Sequence, residues 1–448
     1  MHSTISTHIE SLAYHGSGVA HLPDGRTVFV DNAAPGDHVL IELFESHTRY
    51  ARARICEILE ASPQRIRPLC IHHEVCGGCP WQHLTYEVQY YWKQQFVIEA
   101  LRRIGMIQVP ERLVEATVPS SKAWEYRNKI ELEAQIIDRS VKLGFHKKKT
   151  GEFTTIDSCK LLPRRYLEVP QKLTGAMAYA CREMAPDLLR VNVRVSEITN
   201  DVEISLWTKP CGLARSLTMK VLNNALLTTS MTRIIVDGAT KERKVKHVEV
   251  LAGRGYWRES LDERILKLSS PSFFQVNTPG AEILVKTVLE FLRRVGIGKH
   301  DHVADLYAGA GTLTLPLAAR FTKVSAIESY GPSIRDLRRN LEEYGLEAQV
   351  IGGDVARELE GIGSISAAII DPPRSGLSVE ARAALITAQP NCIVYISCNP
   401  ATLARDIRYL NENEYRLLVV RPIDLFPQTY HIESVALLVH TGYLKARD

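Results

Sequence analysis

His302-Val303-Ala304-Asp305-Leu306-Tyr307-Ala308-Gly309-Ala310-Gly311-Thr312-Leu313 reads as a strand, a glycine turn and the start of a helix, the opening unit of a nucleotide-binding α/β sheet. Gly309 and Gly311 would let backbone approach a ligand closely, and the missing third glycine of the dinucleotide fingerprint argues against a dinucleotide. The next apolar run, Lys323-Val324-Ser325-Ala326-Ile327, ends at Glu328, a carboxylate placed to accept both hydroxyls of a ribose. Ala348-Gln349-Val350-Ile351-Gly352-Gly353 ends at Asp354, and Ala367-Ala368-Ile369-Ile370 ends at Asp371-Pro372-Pro373-Arg374. Ligands of open α/β sheets bind at the carboxyl ends of the strands, so Asp305, Glu328, Asp354 and Asp371 are expected to converge on one crevice. Four acids without a basic phosphate cradle favour a cationic, adenosine-bearing cofactor, S-adenosylmethionine.

The strand Cys392-Ile393-Val394-Tyr395-Ile396 delivers Cys398 to the same edge, just before a helix beginning near Ala401. The partial positive charge of a helix N-terminus favours the thiolate of a group whose ordinary pKa is roughly 8.5, so a reactive thiol is expected. A lone cysteine after a strand is also a common packing residue. What distinguishes Cys398 is a chemical need. Carbon-5 of a pyrimidine is not nucleophilic until something adds to carbon-6, and a thiolate can add there. The carbon-5 proton must then leave to a general base. Glu433 and His431, in Phe426-Pro427-Gln428-Thr429-Tyr430-His431-Ile432-Glu433, are the candidates, two residues apart and so on one face of an extended segment.

Ser397-Cys398-Asn399-Pro400-Ala401-Thr402-Leu403-Ala404-Arg405-Asp406, preceded by Asp371-Pro372-Pro373-Arg374 and followed by His431-Ile432-Glu433, resembles the RNA uracil-C5 methyltransferase family of the TrmA and RumA type. The resemblance implies a Rossmann-like S-adenosylmethionine-dependent domain with Cys398 as nucleophile and Glu433 as base. It also implies that Gln275, Tyr307, Gly309, Gly311, Thr312, Glu328, Asp354 and Asp371 line the cofactor and uracil pocket. Relatives commonly carry Asn where this chain has Thr312. RNA cytosine-C5 enzymes carry a Pro-Cys pair in the Asp-Pro-Pro position, where this chain has Arg374, so cytosine is disfavoured.

The 448 residues suggest two or three domains, and 45% apolar content permits all of them to be globular. No run reaches membrane-span length and Met1 to Ser11 lacks a signal-peptide core, so a cytoplasmic protein off the membrane, monomeric, is expected. A formal charge of +4 is too small to bind RNA globally. Local patches are therefore expected, at Lys147-Lys148-Lys149 and at Lys241, Arg243, Lys244 and Lys246.

Of nine cysteines, Cys70, Cys76 and Cys79 form C-x5-C-x2-C, with Cys159 a plausible fourth ligand, and four thiolates suit zinc or an iron–sulfur cluster. His72 and His73 read as zinc ligands or exposed loop residues. Family members with this spacing bind a [4Fe-4S] cluster, which the resemblance therefore implies here. Cys56, Cys181, Cys211 and Cys392 read as packing residues of a reducing compartment.

Val28-Phe29-Val30 and Val39-Leu40-Ile41, between turns at Pro23-Asp24-Gly25 and Pro35-Gly36-Asp37, predict a small antiparallel barrel. With Tyr14-His15-Gly16-Ser17-Gly18-Val19-Ala20 it resembles the TRAM module, an OB-type barrel that holds RNA. The expected architecture is α/β with three parts. A TRAM-like barrel spans 1–63, and a central α+β domain with the iron–sulfur cluster and an RNA-binding β region spans 64–265. The Rossmann-like domain spans 266–448, and the helical stretch near 86–118 is expected to pack on it.

The expected function is methylation of a 23S rRNA uridine to 5-methyluridine. A T-loop uridine of tRNA is the alternative, because bacterial tRNA enzymes of the family usually lack both barrel and cysteine set. A non-catalytic RNA-binding factor would have no reason to combine Cys398, Glu433 and the acids. A nitrogen methyltransferase would need no thiol.

Overall fold

The structure, a computed structural model, describes residues 4–147, 151–180, 187–237 and 244–446. Lys148, Lys149, Cys181, Lys241 and Arg243 lie outside the described residues.

The N-terminal strands Thr4–His8, Ser11–Leu12, Gly18–His21, Thr27–Asp31, His38–Ser46 and Tyr50–Glu60 form one six-stranded sheet. Alternation of buried and exposed residues in Thr27–Asp31 and His38–Ser46 aims Val28, Val30, Val39 and Ile41 at a common core. The sheet is not antiparallel throughout as expected. Thr27–Asp31 pairs parallel with Tyr50–Glu60, because the intervening strand His38–Ser46 lies on the far side of the latter.

The middle of the chain builds a seven-stranded sheet running Val245–Gly253, Ser230–Val236, Val202–Thr208, Leu188–Val195, Lys129–Ile137, Ser140–His146, Phe153–Thr155. Helices Val169–Ala180 and Arg215–Ala225 pack against each other, and Leu173, Met177 and Leu222 share a core with its apolar side chains. A hairpin, Tyr256–Leu261 with Arg264–Ser269, comes next, and its Trp257, Leu266 and Leu268 belong to the C-terminal core. It straddles residue 265, so no break in packing falls there.

The C-terminal sheet has the order Gln349–Gly352, Lys323–Glu328, His302–Leu306, Ala367–Ile370, Cys392–Ser397, Glu433–His440, Tyr415–Ile423. The first five strands are parallel, and Glu433–His440 runs antiparallel between its neighbours. The order reverses at His302–Leu306, which sends its connections to opposite sides and opens a crevice above its carboxyl end. Nearly continuous burial of His302–Leu306, Ala367–Ile370 and Cys392–Ser397 fits strands covered on both faces. Helix Tyr86–Arg103 contributes Val97, Ile98 and Leu101 to the same core as Leu403 and Ile407.

Candidate active site

The last cross-strand pair between Cys392–Ser397 and Glu433–His440 is Ser397 with Ser434. Cys398 directly follows the one serine and Glu433 directly precedes the other, and the Glu433 carboxyl acts on the thiol through space. The antiparallel insertion alone thus brings together residues far apart in sequence. Asn399 caps the helix Pro400–Glu412, its side chain accepting from the Ala401 N–H at 3.0 Å.

Burial pushes the Cys398 thiol up to about 11, with the neighbouring Glu433 and Asp371 charges adding to it. Arg374 works the other way, by its charge and by a hydrogen bond to the thiol. Desolvation and the two carboxyl groups outweigh the guanidinium, so the resting thiol keeps its proton. Burial, and then Asp371, likewise drives Glu433 well above the usual carboxylate range, against the pull of Arg374. His431 is lowered to about 4 by burial and by cations including Arg374 and Lys93, so it is neutral at pH 7. The strand begins at Glu433, so the alternation that linked the two candidate bases does not reach His431.

Arg374 was not singled out from sequence as a partner of the thiol. Its loop is clamped by the helix Pro400–Glu412: Asn399 Nδ2 and Thr402 Oγ1 each donate to the Arg374 carbonyl at 3.3 Å. Arg405 donates to the Ser375 carbonyl at 3.0 Å, and Asp406 accepts from the Leu377 N–H at 2.9 Å. The Arg405-Asp406 pair that ends the sequence motif thus acts on the loop beginning at Asp371.

On the cofactor side, Glu328 accepts from the Gly309 N–H at 2.8 Å and the Tyr330 N–H at 2.6 Å, which fixes its carboxylate beside the glycine turn. Tyr307 has φ 69°, and its N–H and that of Ala308 both donate to the Ile327 carbonyl. Gly309 opens onto empty space, as a ligand-facing position requires. Gly311, at φ 102°, does not: a side chain there would meet Leu315 and Leu337 at 2.3 and 2.8 Å, so helix packing demands that glycine. Thr312 is half-buried on the same turn. Asp305 is buried, accepts from Thr314 Oγ1 at 2.5 Å and is pushed up to about 7 by burial. Asp371 also rises to about 7, by burial and by Asp305. Asp354 is exposed and caps a short helix by accepting from the Ala356 N–H at 3.0 Å. Gln275 is buried beside Asn277, whose side chain donates to the Leu425 carbonyl at 3.0 Å.

Residues 424–431, which lead into Glu433, are held by partners from earlier in the chain. Lys93 Nζ donates to Asp424 at 2.5 Å and to the Phe426 carbonyl at 3.1 Å. Gln89 both accepts from the Gln428 N–H at 2.8 Å and donates to its side-chain oxygen at 3.1 Å. The Trp81 N–H and the Tyr126 hydroxyl donate to the carbonyls of Gln428 and Pro427. From the barrel, Tyr14 enters the field of Cys398, Arg374 and Glu433. Gly16, at φ 94°, is pinned with Trp81 and Tyr430 each 3.0 Å from where a side chain would begin.

Cys70, Cys76, Cys79 and Cys159 are free thiols close enough to influence one another electrostatically. Burial raises Cys76, Cys79 and Cys159, and Arg127 opposes it. His72 and His73 are half-buried, and His72 Nε2 accepts from the Asp157 N–H at 3.2 Å, tying the two cysteine loops together. Among the described residues no three His, Cys, Asp or Glu side chains are gathered to hold a metal ion. Cys392 is buried as expected, whereas Cys56 is exposed on its strand. In the basic patches, Lys147 pairs with Glu152 and Lys246 with Asp237, at 3.0 and 3.2 Å. Among the described residues no helix is long and apolar enough to cross a membrane.

Residues 358–441 match the tRNA (Uracil-5-)-methyltransferase family, and residues 3–56 match the TRAM domain. An uncharacterized RNA methyltransferase of Caldanaerobacter subterraneus is 33% identical over 96% of this chain and 96% of its own. Another from Chlorobaculum tepidum is 32% identical over 97% of this chain and 95% of its own. Among solved structures, the Pyrococcus abyssi tRNA (uracil-54, C5)-methyltransferase in complex with S-adenosyl-L-homocysteine is 26% identical, with a TM-score of 0.75. The likeness covers 97% of this chain and 100% of that one. Identity sustained from barrel to last strand, with the family match falling on the strands that bring Cys398 and Glu433 together, makes this chain a member of the TrmA/RumA-type RNA uracil-5-methyltransferase family.

Proposed function

We propose that Cys398 adds to carbon-6 of a uridine in RNA and that Glu433 removes the carbon-5 proton after methylation. The observation that supports this is the antiparallel pair Ser397 with Ser434, which Cys398 follows and Glu433 precedes, together with the through-space effect of Glu433 on the thiol. S-adenosylmethionine supplies the electrophilic methyl group and, when bound, a positive charge among the carboxylates. Tyr307, Gly309, Thr312, Glu328 and Asp354 are the residues we assign to holding it, with Gln275 and Asp371 toward the uracil. The resting thiol carries its proton, which must pass to solvent before sulfur attacks, and Arg374 has the task of favouring the thiolate that remains as the base arrives. Addition of sulfur leaves an enolate whose carbon-5 takes the methyl group. Glu433 must release its own resting proton to solvent before this step; its carboxylate then takes the carbon-5 proton, which expels the thiolate and restores the aromatic ring. The target base must leave its stack to reach both groups.

For the substrate, the barrel together with the four thiols favours a 23S rRNA uridine. A tRNA uridine is the second reading, favoured by the full-length likeness to the archaeal tRNA enzyme. Labelled S-adenosylmethionine, offered with 23S rRNA and tRNA transcripts separately, decides between them. Label recovered as 5-methyluridine in one RNA assigns the substrate. No label in either would refute the reading.

The four thiols stand on two tethered loops within one another's electrostatic reach; they are not drawn together as metal ligands here, but their number matches that of a [4Fe-4S] cluster. We assign Cys70, Cys76, Cys79 and Cys159 to it, with a structural role for a loop that ends at Trp81. Iron and sulfide in equal amounts in anaerobically purified protein would support the cluster, and zinc or no metal would overturn it.

A further inference from the structure

Between the barrel and the segment leading to Glu433 lies a cavity of about 670 Å³, within the usual range for a bound small molecule. Tyr14, His15, Phe44, Arg52 and Arg54 line it from the barrel, and Tyr430 closes it from the catalytic domain. The Tyr430 ring stands edge-on to those of Tyr14 and His15, with centroids 6.0 and 5.7 Å away. His15 is held at φ 84°, a conformation a non-glycine residue keeps only where its surroundings impose it. Phe44 is 54% exposed, an apolar ring on the cavity wall left largely open to solvent. The two arginine side chains are 56% and 61% exposed. Glu42 anchors Arg54 at 2.6 Å and Glu45 lies 3.5 Å from Arg52, which orients both guanidinium groups while leaving N–H donors free to meet another anion. Asp31 is the single carboxylate on the wall. Tyr430 of the lining stands three residues before Glu433, and Tyr14 beside it lies within the field of Cys398 and Glu433, which puts the cavity next to the place where the target base reacts.

We propose that this cavity seats the nucleotide next to the target uridine, its base against the aromatic rings and its phosphate on Arg52 and Arg54. The assignment rests on the reading that an RNA uridine enters at Cys398. A strand that surrenders one base to an active site leaves its neighbour unstacked, and unstacked bases are held by aromatic faces and guanidinium planes. The barrel is then part of the reaction site, supplying the flanking contact as the catalytic domain supplies the chemistry.

The test is fluorescence anisotropy of the full chain with a labelled short oligouridylate across a salt series, comparing wild type with Phe44→Ala, Arg52→Ala and Arg54→Ala. All three positions are exposed barrel residues outside the catalytic pair, and far-ultraviolet circular dichroism confirms each variant's fold. Loss of one stacking face is expected to weaken binding about tenfold. Loss of either arginine is expected to reduce the slope of log affinity against log salt by about 0.7. Affinity and slope unchanged in all three variants, or no binding by wild type, would overturn the proposal. Oligouridylate binding that responds to the variants in a protein that methylates no RNA would sink the catalytic reading and leave the cavity assigned. Methyl transfer with unaltered variant binding would do the reverse.

Discussion

Replacing Lys93 with methionine tests whether a buried charge pair holds the segment that carries the base. Lys93 and Asp424 are both 0% exposed, 2.5 Å apart, and Asp424 also accepts from the Phe426 N–H at 3.0 Å. Methionine keeps an unbranched apolar stem and removes only the ammonium. A buried carboxylate left without its partner costs on the order of 3–5 kcal/mol. Protonation offers an escape that caps the penalty. Keeping a carboxyl group of ordinary pKa about 3.9 neutral at pH 7 costs roughly 4 kcal/mol, at about 1.4 kcal/mol per unit, and roughly 1.5 kcal/mol at pH 5. The folded variant would hold a proton that its unfolded chain releases, so its deficit relative to wild type shrinks as pH falls. At about 2.1 cal/mol/K of unfolding entropy per residue the 448 residues give about 1 °C per kcal/mol, so the midpoint should drop by roughly 4 °C at pH 7 and by less than half of that at pH 5. Thermal unfolding of wild type, Lys93→Met, Asp424→Asn and the double variant at both pH values measures this. The double variant should recover part of the loss, because it removes both charges. A Lys93→Met cost below about 1 kcal/mol at pH 7, or an equal cost at both pH values, refutes the reasoning.

Glu433→Gln should trap RNA covalently on Cys398, visible as a band of retarded mobility in a denaturing gel, with turnover reduced at least about 100-fold. Cys398→Ala should give neither adduct nor product, and normal turnover by Glu433→Gln would mean that the base is elsewhere. Because Cys398 sits at about 11, its alkylation by iodoacetamide should quicken about tenfold per pH unit between pH 6 and 9, and Arg374→Ala should slow it at any fixed pH. A plateau by pH 8 would contradict the raised value. Asp305 is raised from 3.8 to about 7, so its protonated form favours the fold. That contribution is complete below about pH 4 and lost as pH rises through about 7, and Asp305→Asn should flatten the decline measured by urea unfolding between pH 5 and 8.

Local pattern located much of the C-terminal half. His302–Leu306, Ala367–Ile370 and Cys392–Ser397 are strands where apolar runs ended on a turn or a functional residue, because a doubly covered parallel strand has no polar face to confuse its reading. The middle of the chain was less legible. Most of its seven strands pair with their neighbours in the chain, but Leu188–Val195 returns to pair with Lys129–Ile137, and Val202–Thr208 is buried along its whole length, so alternation gives little guide to its neighbours. The barrel's one parallel pair was missed for a related reason: turn signals report hairpins and say nothing of a strand that crosses over its neighbour.

By itself the sequence determined the residue types at the strand ends: the acids, the thiol, the glycine turn and the Arg405-Asp406 motif. These are local facts, set by where an apolar run stops and by the few residues directly after it. Only the tertiary structure decided that Glu433 acts on Cys398 through space, that Arg374 is turned onto the thiol, and that Tyr14 of the barrel and Lys93 of a distant helix serve the same site. It also set the acidity of Cys398, because a thiol's proton affinity depends on the water removed and the charges gathered around it. The charges stand on other strand ends and loops, at Glu433, Arg374 and Asp371, and are brought to the thiol only when apolar burial closes the sheet.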